Sequence, residues 1–487
     1  MMRRPSLVPS AVIAGTLALA SCTDTLSGLN TASLGTSSHL APVPVLQPSD
    51  NPITVDNRRF ETSETRIGAS QHPQIVRTYG GLYADPKVER TVARIVGRLT
   101  GAAPGSTETY RVYLLDSPSV NAFALPGGYL YVTRGLLALA DDSAELAAVI
   151  AHEMAHVIAD HGIERQRRLE RTEIAERVAH TVMPEREART ATARDRLNAA
   201  QFSRVQELEA DEIGVKMMAE AGYDPEAALD FLDAMERHTR YHAGASERGR
   251  LDFMATHPAA PQRRAKLKAL VAPLRGGDTT RDRDRYLEGI DGLPYGDGSD
   301  EGFVRGRTFA HPKLGIAFDV PAGYALENSP EAVVATGPQD VAVRFDATPT
   351  GGFADPETYL RSGWVAGLSE PTVESLDLGG MPAARARAFA GGYVFDVTVA
   401  KLDGRFFRFL TAAPPGVADL PRRADAVTRS FRRLSENDRA ALKPLRIRVR
   451  DGAAASQMRG VDRPDALFRV LNGDRRSGKG KVVTDAG

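Results

Sequence analysis

The run AAVIAHEMAHVIADHG, residues 147–162, constrains this chain more than any other stretch. It is apolar and alanine-rich, the composition of a helix buried on all sides, yet it carries His152, Glu153 and His156. Positions four apart share a helix face about one turn apart, so the two imidazoles can meet one tetrahedral ion at about 2.0–2.1 Å each. Glu153 lies next to the first histidine and is expected to face the cleft rather than the metal, placed to take a proton from water. Core packing would explain one histidine, not this set. Asp142 as N-cap, with Glu145 three residues later, marks the start of the helix.

Such a site needs a third protein ligand, and ELEAD, residues 207–211, offers one. Glu207 and Asp211 are again four apart on an apolar helix, with Glu209 pointing away from them. As a surface pair the two carboxylates would repel. A metal gives them a reason: Glu207 as ligand, Asp211 as partner to an imidazole N–H.

The 487 residues suggest two or three domains. Lysine and arginine total 62, as do aspartate and glutamate, which removes the case for a general nucleic-acid binder. Helical spacing of Val88, Val92, Ile95, Val96 and Leu99 predicts a helix over 85–100. RVYLLD (111–116) reads as a strand, and NAFALPGGYLYVTRGLL (121–137) as two strands around Pro126-Gly127-Gly128. The charged stretch 163–200 reads as solvated helical pieces broken at Pro184. Helices are expected through 201–225, ending at Gly222, and from Pro225 onward. A Gly/Asp-rich linker is expected over 275–300. Beyond it GIAFDVP, VAVRFDA and YVFDVTVAKLDGRFFRFLTAAP read as strands, DPETYLRSGWVAGL and RRADAVTRSFRRL as helices.

The motifs HEMAH and ELEAD together resemble those of the gluzincin peptidases, the group of HtpX, the CAAX prenyl proteases and the periplasmic BepA-like proteases. The likeness extends to NAFALPGGYLYVTRGLL and to THPAAPQRR (256–264), over about residues 65–272. It implies Zn2+ as cofactor, His152, His156 and Glu207 as its ligands and Glu153 as base. The expected fold class is therefore α+β: a mainly helical zincin-type peptidase domain with a small β-sheet (56–274), then a small α+β domain (301–435). A basic tail (436–487) resembles a degenerate LysM-like module through RVLNG and its closing Lys-Val-Val, with a disordered tail as the alternative. A BepA-like protein would carry a helical-repeat domain behind the protease; no such repeat is read in this sequence, so assembly roles tied to it are not expected.

The mechanism implied is attack by metal-activated water, with Glu153 passing the proton to the leaving amine. Substrate is expected along Asn121, Ala122 and Phe123 by strand addition, a plain hairpin being the other reading. His257 lies in a loop stiffened by Pro258 and Pro261. It is expected to act at the site, either as a donor to the oxyanion or as a latch on zinc's fourth position. His39, His72, His161, His180, His238, His242 and His311 read as surface or structural.

The opening MMRRPSLVPSAVIAGTLALASC reads as a secretory signal over 1–21 ending in a lipobox, with lipid on Cys22, the chain's one cysteine. An ordinary signal with an incidental cysteine is the bland alternative. Residues 22–55 read as a flexible tether, and Thr23 after the cysteine favours the outer membrane. The whole describes a lipid-anchored periplasmic endopeptidase acting on unfolded or misassembled envelope proteins, with a peptidoglycan contact through the tail. The competing reading is a chaperone-like or assembly factor with a structural metal site.

Overall fold

The computed structural model describes residues 63–103, 110–168, 202–242, 253, 257, 261–277, 279–475 and 478–485. The expected signal, its Cys22, the tether, His39, His180 and the charged stretch from 169 to 200 lie outside them.

Two helices open the described chain, α1 (Ser63–Thr78) and α2 (Pro86–Ala102). Asp85 caps α2 by accepting from the amides of Lys87 and Val88, with Pro86 in the first turn. The expected stripe of Val88, Val92, Ile95, Val96 and Leu99 is its buried face. A three-stranded sheet follows, β1 (Arg111–Leu115), β2 (Ala122–Leu125) and β3 (Tyr129–Thr133), in the order β1-β3-β2. The turn between β2 and β3 has Gly127 and Gly128 at φ of 81° and 76°, a region open to glycine at no steric cost. β2 is therefore an edge strand. Helix α3 (Arg134–Leu139) leads into α4 (Ser143–Ile158), the helix of HEMAH, buried on almost every side. Asp142 caps it as expected, accepting from Glu145 N at 2.8 Å, while Glu145 reaches back to the amide of Asp141. Asp160, at φ 55°, breaks the run, and a second helical segment covers 161–168.

Helix α5 (Arg204–Glu220) packs along α4 and starts with a Ser203–Gln206 capping box. A Cβ at Gly214 would meet backbone atoms of Ala151 and His152 at 3.2 Å. Glycine there lets the two helices approach closely. Gly214 is three residues beyond Asp211 and seven beyond Glu207, so it shares their face. Helices α6 (Ala227–His242) and α7 (Pro261–Val271) complete the helical layer.

Two expectations are corrected here. The Gly/Asp-rich stretch after 275 is not a free linker. It forms α8 (Arg283–Ile290) and β4 (Pro294–Tyr295), and Tyr286, Leu287, Ile290 and Leu293 are wholly buried in the same core as α2 and α4. Nor is the tail disordered. Helix α11 (Glu436–Ala441), β16 (Leu445–Asp451), α12 (Pro464–Asn472) and β17 (Lys479–Asp485) are folded, and β16 pairs with both β17 and β4. Leu445, Ile447, Leu467, Val470, Leu471, Val482 and Val483 belong to the peptidase-region core. Lys481, fully buried, donates to the carbonyls of Ala138, Leu139 and Ala140 at 2.8–3.0 Å. It closes the end of α3, where unpaired carbonyls favour a cation.

Between β4 and β16 the chain makes a separate unit. A seven-stranded antiparallel sheet runs β11-β12-β13-β14-β10-β9-β8, and a four-stranded one runs β15-β7-β6-β5. Their ranges in chain order are Phe303–Arg305 (β5), Thr308–His311 (β6), Ile316–Asp319 (β7), Ala325–Asn328 (β8), Val333–Thr336 (β9), Ala342–Pro349 (β10), Leu368–Asp377 (β11), Pro382–Ala390 (β12), Tyr393–Leu402 (β13), Arg405–Ala413 (β14) and Arg432–Arg433 (β15). The helix expected over 355–368 shrinks to one short piece, α9 (Pro356–Leu360), and the one expected over 422–434 ends at Thr428 in α10 (Leu420–Thr428), with Arg432–Arg433 in β15 instead. The unit is thus predominantly sheet, within an α+β whole. Among the described residues no helix is long and apolar enough to cross a membrane.

Candidate metal centre

α4 delivers His152 and His156, α5 delivers Glu207, and the chain before α7 delivers His257. One ligand atom from each lies within 4.8 Å of all the others, and all four residues are buried. The separations have a meaning. Ligands about 2.05 Å from a tetrahedral ion stand about 3.3 Å from one another. His152 Nε2 is 3.1 Å from His156 Nε2 and 3.3 Å from His257 Nδ1. Glu207 Oε1 is 3.5 Å from His156 Nε2 and 2.8 Å from His257 Nδ1. Four of the six edges of the donor group thus lie between 2.8 and 3.5 Å, near the edge length of such a tetrahedron.

Charge agrees with geometry. Glu153, Glu207 and Asp211 are buried; Arg263 meets two of them, with Nε 2.7 Å from Asp211 Oδ2 and NH1 2.7 Å from Glu207 Oε2, and Arg165 lies in the field of Glu153. Three carboxylates against these two guanidiniums leave a negative surplus for a cation to answer. Burial works against the Glu207 carboxylate, but its contacts with His152, His156 and His257 hold it far below the usual range. Asp211 is held at about 2, again against burial, by His152 and Arg263. Burial and Arg263 press His152 down, yet hydrogen bonds to Asp211 and Glu207 lift it to about 9. Burial pushes His156 well below its ordinary value. The carboxylates thus call for positive charge among the imidazoles, which one proton or one cation supplies.

Glu153 is adjacent but separate. Burial raises its carboxyl, with His257 and His152 partly offsetting the rise. Its Oε1 is buried without a hydrogen bond and stands 3.4 Å from His257 Nε2. The amide of Ala124, on the edge strand β2, donates to this carboxylate. The strand expected to receive substrate therefore runs beside it. Ala122 and Phe123 lie on β2. Asn121 precedes it, with its carbonyl taken by Thr133 N and its side chain donating to Tyr79 Oη at 2.9 Å. Phe123 stacks on Tyr131, centroids 4.9 Å apart.

Asp211 Oδ1 lies 3.1 Å from His152 Nδ1. Two residues escaped the sequence reading. Arg263 was passed over within THPAAPQRR, since nothing local shows that α7 brings it to Glu207 and Asp211. His161, read as surface or structural, is 2% exposed and 2.9 Å from His156 Nδ1. Position i+5 on a continuous helix would face about 140° away; the break at Asp160 turns it back. Of the other histidines, His72 bonds Tyr131 Oη at 2.9 Å, and His238, His242 and His311 lie outside the centre.

Residues 85–271 match the family Peptidase M48. The mitochondrial metalloendopeptidase OMA1 of Schizosaccharomyces pombe is 28% identical over 227 residues, 44% of this chain and 65% of that protein. The beta-barrel assembly-enhancing protease of Yersinia pestis is 28% identical over 222 residues, 44% of each. The mitochondrial metalloendopeptidase OMA1 of Arabidopsis thaliana is 35% identical over 162 residues, 33% of this chain and 31% of that one. The chain spans about half the length of the curated relatives it matches. Zn2+ is the metal of this family, and the buried group of His152, His156, Glu207 and His257 could bind it.

Proposed function

We propose that the peptidase family M48 domain at residues 85–271 makes this chain a zinc-dependent endopeptidase. The observation that carries this reading is the convergence of four buried donor atoms beside a fifth buried group, Glu153, that faces an edge strand. His152, His156 and Glu207 would hold the ion, with Asp211 and Arg263 keeping His152 and Glu207 in place. Zinc bound there supplies a Lewis acid for the scissile carbonyl and lowers the pKa of water. Glu153 takes the proton from the attacking water and hands it to the leaving amine. Substrate backbone adds to β2 along Ala122 and Phe123, with Asn121 fixing the strand's start.

His257 takes the latch role. With its Nδ1 among the four clustered donor atoms, His257 would complete the set around an ion and close the site, whereas catalysis needs one position open. His257 withdraws when substrate arrives. A purely structural metal site would explain the closure but not Glu153, a buried carboxyl that holds no metal. The substrates are unfolded or misassembled envelope proteins, in line with a relative named for β-barrel assembly. The chain acts in the periplasm, held to the outer membrane by lipid on Cys22. The peptidoglycan contact is assigned to the tail, 436–487, whose strands β16 and β17 flank α12.

Casein digestion by the purified protein, with zinc content measured before and after chelation, tests the activity. Loss on chelation and recovery with zinc is expected; digestion that survives complete zinc removal would overturn it. His257→Ala, assayed alongside, is expected to turn over faster than the parent. A large loss of rate would instead identify an oxyanion donor, and an unchanged rate would dismiss both roles. Cys22→Ala is expected to abolish palmitate labelling; equal labelling of the variant would refute the anchor.

A further inference from the structure

Each imidazole of the donor group has a second nitrogen that faces something else. His152 Nδ1 meets Asp211, and His257 Nε2 meets Glu153. His156 Nδ1 meets the Nδ1 of another histidine, His161, at 2.9 Å, and His161 Nε2 lies 3.4 Å from Glu209 Oε2. An imidazole that binds an ion through Nε2 keeps its proton on Nδ1, and that proton needs an acceptor. His161 Nδ1 can accept only if the proton of His161 sits on Nε2. The Glu209 carboxylate at Nε2 holds it there. We propose that His161 is a positioning residue for the metal centre: its Nδ1 accepts from His156, and Glu209 fixes the tautomer that lets it do so.

The surroundings fit this role. The His161 ring is 2% exposed and lies against His156 with centroids 5.0 Å apart at 67°. Burying an imidazole is costly unless both nitrogens are paired, and here both are. The left-handed Asp160 aims the ring back at His156. Glu209 is 55% exposed at its side chain, so the chain of contacts runs from a buried ligand to the surface. The three carboxylates of ELEAD then divide the work: Glu207 faces the ion, Asp211 orients His152, and Glu209 orients His156 through His161.

This inference rests on the metal reading above, and the test separates the two. Zinc affinity of the full chain is measured by competition with a chromogenic chelator, with the visible spectrum of the Co2+-loaded protein as a second readout. His161→Phe keeps a ring but offers no acceptor. It is expected to bind zinc about 10–100-fold more weakly and to shift the cobalt bands. His161→Asn places an oxygen where Nδ1 lies and is expected to recover most of the affinity. Glu209→Gln, which no longer fixes the tautomer, is expected to lose less than His161→Phe. Parental affinity in folded His161→Phe, or His161→Asn no better than His161→Phe, overturns the role while leaving the metal site standing. A parent that takes up no zinc overturns both. Where His161→Phe does not fold, Glu209→Gln decides: weakened binding supports the chain of contacts, and parental affinity overturns it.

Discussion

In the sheet unit between β4 and β16 the interior is ring against ring: Phe309, Phe318, Phe345, Phe407, Phe409 and Phe431 fill the space under the large sheet. Its buried carboxylates, Asp346 and Asp396, are each met by an arginine, Arg408 and Arg385. The peptidase region also has an apolar core, but through its centre runs a group of histidines and carboxylates whose charges do not cancel among themselves. Buried charge without a partner is costly. The sheet unit neutralises its own within the protein. The peptidase region leaves a negative surplus among its imidazoles that a cation answers. Stability and function are therefore separable in the first region and coupled in the second.

The sharpest test of that contrast is Glu153→Gln, which keeps shape and holds no metal. Turnover on casein should fall by about 10²–10⁴-fold or more, with zinc content and unfolding midpoint close to the parent's. A variant that digests casein at the parental rate would remove the base from Glu153. On the other side, Phe409→Ala should cost about 3–5 kcal/mol of stability, read by denaturant unfolding. Zinc affinity of the folded protein should not move; if it does, the two regions are not separable. Gly214→Ala asks whether the coupling is real. The added methyl meets helix backbone at 3.2 Å, and such overpacking costs about 1–3 kcal/mol. Because Gly214 sits on the face that carries Glu207 and Asp211, zinc affinity should weaken together with the unfolding midpoint. Lost stability at unchanged affinity would argue against the coupling.

The smallest expected effect lies at the start of the HEMAH helix. Burial, with Asp142 adding, pushes the Glu145 carboxyl up to about 8 from an ordinary 4.5. The folded state then holds a proton that the unfolded chain has released. Its contribution is full below pH 4.5 and is lost as pH rises toward 8. Melting temperature should decline across that window, and Glu145→Gln, which is uncharged throughout, should flatten the decline. An unaltered slope in the variant would place the titration elsewhere.

Much of the centre was legible because its signals are local. His152 with His156, and Glu207 with Asp211, declare a shared face by spacing alone. Asp85 and Asp142 declare helix starts by their caps. What was hidden depends on distant contacts or on misleading composition. His161 needs the break at Asp160, and Arg263 needs α7 to land beside α5. Gly and Asp around 275–300 suggest a linker, while Tyr286, Leu287, Ile290 and Leu293 carry a buried helical stripe through it. The basic residues of the tail mask the alternation of Leu445, Ile447 and Val449. In β12 the strand reads PAARARAFA, whose alanines favour helix by propensity. Its alternation is still a strand's, with Ala384, Ala386 and Ala388 buried.

The pairing of β4 with β16 puts Leu445 beside Tyr295 and Arg446 beside Pro294, so about 150 residues of sheet unit emerge between two strands of one ladder. During synthesis the HEMAH helix leaves the ribosome some three hundred residues before Lys481, the group that closes the helix ahead of it. Until that last stretch arrives, the core around α4 lacks Leu467, Val470, Leu471, Val482 and Val483. A nascent or truncated chain therefore holds its ligands in an unfinished scaffold. Order of synthesis therefore matters: the core around the donor group is completed only once the stretch through Val483 has been made.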